Sequence, residues 1–140
     1  MRMRKQRVLI LCTGNSARSQ MAEGLLRQDA ADRFEVESAG LKPGRVRPEA
    51  IAVMKEIGVD ISGYRSKHVD EFAGQQFDCV LTVCDNANES CPVLPGEGRR
   101  LHQSFEDPAA LQGSVEERLA AFRRVRDEIR RYLRTFPGKG

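Results

Sequence analysis

Short apolar runs alternate with amphipathic stretches along most of the chain. Arg7 to Leu11 is a continuous apolar run with β-branched residues, the pattern of a strand buried on both faces. It breaks at Cys12-Thr13-Gly14-Asn15-Ser16-Ala17, a turn-forming set. From Arg18 to Asp32, Met21, Ala22, Leu25 and Leu26 recur at helical spacing. Phe34 to Ala39 alternates with period two and reads as a second strand, followed by a loop over Gly40–Gly44. Pro48 suits the first turn of a helix carrying Ala50, Ile51, Val53, Met54 and Ile57, which stops at Gly58. After an irregular stretch, Phe77 to Val83 forms a third strand. Asp85 to Gly98 is polar and holds two prolines, a long loop or short helix. Arg99 to Phe105 is a weaker fourth strand at an edge. Ser114 and Glu117 make a capping box. The helix behind it has Leu119, Phe122, Val125, Ile129, Leu133 and Phe136 on one stripe.

Alternating strands and helices imply parallel strands joined by right-handed crossovers. The expected fold is therefore α/β. It is a single-domain three-layer sandwich over residues 1–140, a four-stranded parallel sheet with helices on both faces. A chain of 140 residues leaves no room for a second domain. Ligands of such sheets bind beyond the carboxyl ends of the strands. Cys12, Cys84 and Asp107 each fall just past a strand, so three separate pieces of chain bring reactive groups to one edge.

Charge and composition narrow the function by exclusion. The excess of basic residues is +3, too small and scattered to argue for nucleic acid. Six arginines (Arg123, Arg124, Arg126, Arg130, Arg131 and Arg134) share a face of the last helix. A solvated face paired with Glu116, Glu117, Asp127 and Glu128 is favoured over a polyanion site. No apolar run reaches the roughly 18–20 residues of a membrane span. The basic start Met1–Arg7 is followed by an apolar run too short for a signal peptide. The expected location is the cytoplasm, where the four cysteines are reduced and serve as reactive, metal-bound or buried thiols.

Cys12-Thr13-Gly14-Asn15-Ser16-Ala17-Arg18-Ser19 carries the strongest chemical signal. Small residues let the backbone curl so that successive N–H groups face inward as an anion nest, and the following helix adds its free N–H groups. Arg18 can grip two oxygens of a tetrahedral oxyanion in a fork. Such surroundings lower a cysteine pKa from about 8.5 to roughly 3.5–7.5. Ser19 is placed to donate to that thiolate. The plain alternative is a buried cysteine beside a surface arginine. Cysteine, small residues and arginine between a buried strand and a helix favour the functional reading. Cys84 and Cys91 lie too far apart in sequence for a zinc pair, and no histidine cluster completes a metal site. They can meet only if their segment rearranges. Cys79, inside an apolar run, reads as a buried small hydrophobe. Asp107 precedes Pro108, which biases it to extended backbone, and a carboxyl beside a bound oxyanion suits a general acid. His68 and His102 read as ordinary polar residues.

The block Leu11–Gly24 resembles the anion loop of the low-molecular-weight phosphotyrosine phosphatase family, and more closely that of its thioredoxin-coupled arsenate reductase branch. Val80–Pro92, Phe105–Ala109 and Ser38-Ala39-Gly40 also resemble the family, in the same order along the chain. The resemblance implies a low-molecular-weight phosphatase-like fold and a three-cysteine relay. In it Cys12 attacks arsenate and Asp107 protonates the leaving oxygen. Cys84 attacks Cys12, and Cys91 attacks Cys84. Thr13, Gly14, Asn15, Ser16, Ala17 and Arg18 would hold the oxyanion, with Ser19 supporting the sulfur. The implied partners are arsenate, phosphate as competitor, and thioredoxin as electron donor. No bound cofactor, metal, nucleic acid or membrane is expected, and the expected state is a monomer. Many relatives carry a further cysteine where this chain has Ala17, a position that no relay step uses. Some bind potassium through oxygens matching Asn15, Glu23 and Ser38 plus an acidic residue, and the last position falls near Lys67 here. Two other readings stay open: a phosphotyrosine or small phosphate-ester phosphatase, which needs only Cys12, Arg18 and Asp107, and a non-enzymatic thiol sensor or oxyanion-binding module.

Overall fold

The computed structural model describes residues 5–84 and 99–136. Cys91 and the expected 85–98 loop lie outside the described residues. Four strands, β1 (Gln6–Cys12), β2 (Phe34–Gly40), β3 (Cys79–Thr82) and β4 (Arg99–His102), form one parallel sheet in the order β2-β1-β3-β4. Three helices are described: α1 (Arg18–Ala30), α2 (Pro48–Lys55) and α3 (Val115–Leu133). Short 3-10 turns occur at Val69–Phe72 and Pro108–Ala110. The four-stranded parallel α/β fold expected from the alternating pattern is the one observed.

The unbroken apolar run of β1 has a structural cause. β1 is hydrogen-bonded on both edges, to β2 and β3, and its side chains point alternately to the two faces. Val8, Leu9, Ile10 and Leu11 are all fully buried, so both faces of the sheet are covered there. Each such side chain contributes about 1.5–3 kcal/mol through burial. Among the described residues β4 pairs with β3 alone, at the edge of the sheet, and is correspondingly half-exposed. β3 is shorter than its apolar run: it begins at Cys79, although Asp78 N–H still donates to Arg7 O at 2.9 Å and Asp78 O accepts from Arg99 N–H at 2.9 Å. Asp78 accepts the Arg7 backbone N–H at 2.7 Å, and the Arg7 guanidinium lies over the Phe77 ring at 4.5 Å. Beyond Thr82 the ladder continues loosely, with Phe105 N–H donating to Val83 O at 3.1 Å.

α1 packs against both α2 and α3. Gly24 permits the first contact, since a Cβ there would lie 2.8 Å from Ile61 Cγ2 and 3.1 Å from Met54 Cε. α3 begins at the capping box, in which Ser114 Oγ accepts from Glu117 N–H and Glu117 Oε1 accepts from Ser114 N–H. Its stripe delivers Phe122, Val125, Ile129, Leu133 and Phe136 to the core.

The arginine face of α3 differs from expectation. Its partners are mostly carboxylates of other elements. Arg123 reaches Glu56, Arg124 reaches Glu106 and Arg130 reaches Asp29. Arg126 is buried, donating to Val53 O at 2.8 Å, Glu56 Oε1 at 2.9 Å and Asp127 Oδ1 at 2.8 Å. The reason is packing: side chains that flank the buried stripe lie against the neighbouring helices. Arg126→Ala should therefore cost about 1–3 kcal/mol, because it leaves Val53 O buried without its donor. Arg124→Ala, at an exposed pair, should change stability by less than about 0.5 kcal/mol. Urea unfolding midpoints of the two variants check the contrast.

Cys79 is the buried hydrophobe expected, and burial pushes its thiol up to about 11. A raised folded-state value means that the stabilising contribution is complete below the ordinary thiol range and is lost as pH rises towards about 11. Iodoacetamide at neutral pH should leave Cys79 unmodified in the folded protein and label it in urea, as read by peptide mass spectrometry.

Candidate active site

The site begins where β1 ends. Residues 13–17 must turn the chain from strand to helix, and every carbonyl in the turn is tied from outside it. Thr13 O accepts from Lys42 N–H at 2.9 Å, and Gly14 O from Gly44 N–H at 3.2 Å and Ser66 Oγ at 2.8 Å. Asn15 O accepts from Gln20 Nε2 at 3.0 Å, Ser16 O from Arg47 N–H at 2.8 Å, and Ala17 O from Met21 N–H at 2.9 Å. With the carbonyls held away, the amides are left for the concave side, the arrangement of an anion nest. Asn15 takes the left-handed backbone the curl requires, at φ 48°. Gly40, the last residue of β2, runs directly behind the loop. A Cβ there would lie 2.7 Å from Thr13 O and 2.8 Å from Asn15 N, both backbone atoms, so no side chain fits.

Cys12 is 2% exposed. Its Sγ accepts from Asn15 N–H at 3.3 Å and lies 2.9 Å from Ser19 Oγ. Ser19 Oγ itself accepts from Asn15 Nδ2 at 2.8 Å, which frees its proton for the sulfur. The same Nδ2 donates to Ser38 Oγ at 2.9 Å, and Ser38 in turn donates to Glu23 Oε1. Asn15 Oδ1 accepts from Gln20 Nε2 at 2.9 Å and Lys67 N–H at 2.8 Å. One buried asparagine thus ties loop, α1, β2 and the 65–67 segment together.

Arg18 opens α1, donates to Phe105 O at 3.1 Å, and brings Nη2 within 3.7 Å of Asp107 Oδ2. Asp107 has extended backbone before Pro108, and its Oδ1 accepts from Ala109 N–H at 3.0 Å. Cys12, Thr13, Gly14, Ser16, Ala17, Arg18 and Asp107 line one cavity of about 250 Å3, together with Arg47 and Ala109. Cys84 is buried at its edge, with Sγ 3.2 Å from Thr13 Oγ1. Parallel register explains the approach: Leu11 pairs with Thr82, so the residues following β1 and β3 emerge side by side. The structure therefore brings Cys12, Arg18, Ser19, Cys84 and Asp107 together. Asn15 lies behind the loop as its hub. His102, read as ordinary, has Nδ1 2.7 Å from Thr82 Oγ1, and His68 Nδ1 accepts from Asp70 N–H at 3.0 Å, capping the Val69–Phe72 turn.

Sequence reasoning did not single out Gln20 or Arg47. Gln20 is a polar residue at a core-facing helical position, which was a legible signal. Nothing in the spacing pointed to Arg47.

Glu23 is 3% exposed, and burial raises its carboxyl above the ordinary range. Ser38, Lys67 and Arg27 oppose that rise. Lys67 Nζ stands 3.8 Å from Glu23 Oε1, and Arg27 Nε stands 3.1 Å from Oε2. The side-chain oxygens of Asn15, Ser38 and Glu23 are thus committed to protein donors, with an ammonium beside them. The donor set does not fit a bound potassium ion. Exchanging choline chloride for potassium chloride at fixed ionic strength should leave catalytic efficiency unchanged within about twofold, roughly 0.4 kcal/mol. A clear potassium-dependent rise would contradict it.

Comparison with known proteins follows the same residues. The family model for low molecular weight phosphotyrosine protein phosphatase matches residues 7–138. An arsenate reductase of Halalkalibacterium halodurans is 46% identical over 138 residues, covering 99% of each chain. A solved arsenate reductase in a phosphate-binding state superposes with TM-score 0.77 at 33% identity, covering 93% of this chain and 95% of that one. A thioredoxin-dependent arsenate reductase of Corynebacterium glutamicum superposes with TM-score 0.67 at 26% identity, over 96% of this chain and 63% of that one. The match runs through sheet, loop and helices alike, and the chain belongs to the low-molecular-weight phosphotyrosine protein phosphatase family.

Proposed function

We propose that the protein reduces arsenate to arsenite in the cytoplasm, using Cys12, Cys84 and Cys91 in turn and thioredoxin as the final reductant. The observation that carries this reading is a second thiol at the anion loop, Cys84 Sγ against the Thr13 hydroxyl at 3.2 Å. A phosphate-ester hydrolase of this architecture has no use for it. Similarity to proteins named arsenate reductase, one of them thioredoxin-dependent, supports the same reading.

The chemistry runs as nucleophilic displacement followed by thiol–disulfide exchange. Arsenate settles among the loop amides and the Arg18 fork. The Cys12 sulfur, with Asn15 N–H and Ser19 Oγ on it, attacks arsenic. A sulfur–arsenic bond forms, and one oxygen leaves as water with a proton from Asp107. Cys84 thiolate then attacks Cys12 sulfur. A disulfide forms, the sulfur–arsenic bond breaks, and its electron pair stays on arsenic, which leaves as arsenite. Cys91 attacks Cys84, freeing Cys12 and leaving a Cys84–Cys91 disulfide. Thioredoxin's dithiol reduces that bond and is itself oxidised. Both electrons come from thiols, so the relay needs no bound organic cofactor.

The cavity lining contains no aromatic residue among those described, so nothing there holds a phenyl ring. That favours a small inorganic oxyanion over a phosphotyrosine side chain. Slow phosphatase activity should accompany the reductase, because Cys12, Arg18 and Asp107 also suffice for ester cleavage. In a coupled assay with thioredoxin, thioredoxin reductase and NADPH, Cys12→Ser should abolish arsenate-dependent NADPH loss and p-nitrophenyl phosphate hydrolysis together. Cys84→Ser and Cys91→Ser should each stop NADPH loss yet keep hydrolysis within about threefold, roughly 0.6 kcal/mol. Continued cycling by either single variant would remove the relay.

A further inference from the structure

We propose that Arg47 is a second guanidinium of the oxyanion site, acting beside Arg18 as a determinant of anion affinity. The proposal rests on the reading of the cavity as a tetrahedral-oxyanion site. Arg47 lines the same cavity as Cys12, Arg18 and Asp107, although it comes from the turn before α2 rather than from the loop. Its backbone N–H donates to Ser16 O at 2.8 Å, which ties its position directly to the loop.

The guanidinium is under-committed where it stands. Its Nη2 contacts Glu49 Oε2 at 3.4 Å, long for a charge-assisted hydrogen bond. The same carboxylate oxygen is shared with Arg118 Nε at 3.7 Å. Arg47 Nε is buried and has no acceptor among the described residues. The side chain as a whole is 39% exposed, so its remaining N–H groups are open to the adjoining cavity, where a multiply charged oxyanion is an acceptor of the right chemistry. Arg18 is only partly committed as well, with Nη1 on Phe105 O and Nη2 at 3.7 Å from Asp107. Two arginines can therefore each direct remaining N–H groups to one anion, where planar forks match oxygen pairs.

The surroundings add to this. Arg47 also borders a second, more open groove of about 540 Å3 that includes Lys42 and Arg45. Lys42 and Arg45 do not line the anion cavity. They make its approach positive, while Arg47 alone of the three reaches its wall.

Isothermal titration of the full chain with inorganic phosphate, and separately with arsenate, tests the assignment without requiring turnover. Arg47→Ala should weaken both anions about tenfold or more, the effect of one charge-assisted hydrogen bond. Arg47→Lys should recover part of the loss. Arg45→Ala removes the same charge next door and should weaken binding by less than about threefold. Melting temperatures check that the variants are folded, and Arg47→Ala retains the backbone N–H that holds Ser16. In the coupled assay Arg47→Ala should raise KM for arsenate and leave kcat within about twofold, separating anion binding from loss of structure. Phosphate affinity of Arg47→Ala within twofold of the parent overturns the proposal, as does an equal loss in Arg45→Ala. If phosphate binding falls as expected in Arg47→Ala but the parent protein itself turns over no arsenate, Arg47 keeps its role and the reductase reading fails.

Discussion

Everything at this site depends on the fate of the carbonyl groups between Thr13 and Ala17. A peptide unit cannot present its N–H to an anion while its own carbonyl faces the same point. The loop resolves this by giving each carbonyl a donor on its far side, from Lys42, Gly44, Ser66, Gln20, Arg47 and Met21. The curl of the loop is thus held by chain segments outside it, Arg47 among them. Gly40 shows how tight the backing is: at that point the strand behind the loop is separated from it by less than the size of a methyl group.

Asn15 joins this backing to the Cys12 sulfur. Its left-handed backbone is a conformation that costs of order 1 kcal/mol or more for a residue other than glycine. Hydrogen bonds from its side chain to Ser19 and Ser38, and to it from Gln20 and Lys67, over-determine the position. In a buried, low-dielectric setting such bonds strengthen one another, and an unmatched member would be costly. The same side chain orients Ser19 so that its proton is free for Cys12. Backbone strain, hydrogen-bond hub and the contacts of the Cys12 sulfur are one structure.

The two arginine populations divide along a similar line. On α3, Arg123, Arg126 and Arg130 pair with carboxylates of α1 and the end of α2, and serve as struts between helices. At the loop, Arg18 and Arg47 are only loosely engaged by protein groups. A guanidinium already matched to a carboxylate has little to offer a ligand, and one that is not matched retains its donors.

The four strands, the start of each helix, the α3 capping box and the Cys12–Ser19 loop were legible from the chain alone, whereas α1, α2 and the third and fourth strands end short of the expected bounds. Each is set by local physics: side-chain periodicity, glycine and proline conformations, and short-range hydrogen bonds. The convergence of Cys12, Cys84 and Asp107 was legible too, because parallel topology forces strand ends to one edge. The carbonyl donors behind the loop, the contact of Cys84 with Thr13, the partners of the α3 arginines and the presence of Arg47 in the cavity beside Cys12 were not. They join residues up to about a hundred positions apart, as Arg130 and Asp29 do. No periodicity records which side chains will meet when separate elements pack, so those contacts were decided only when the tertiary structure closed.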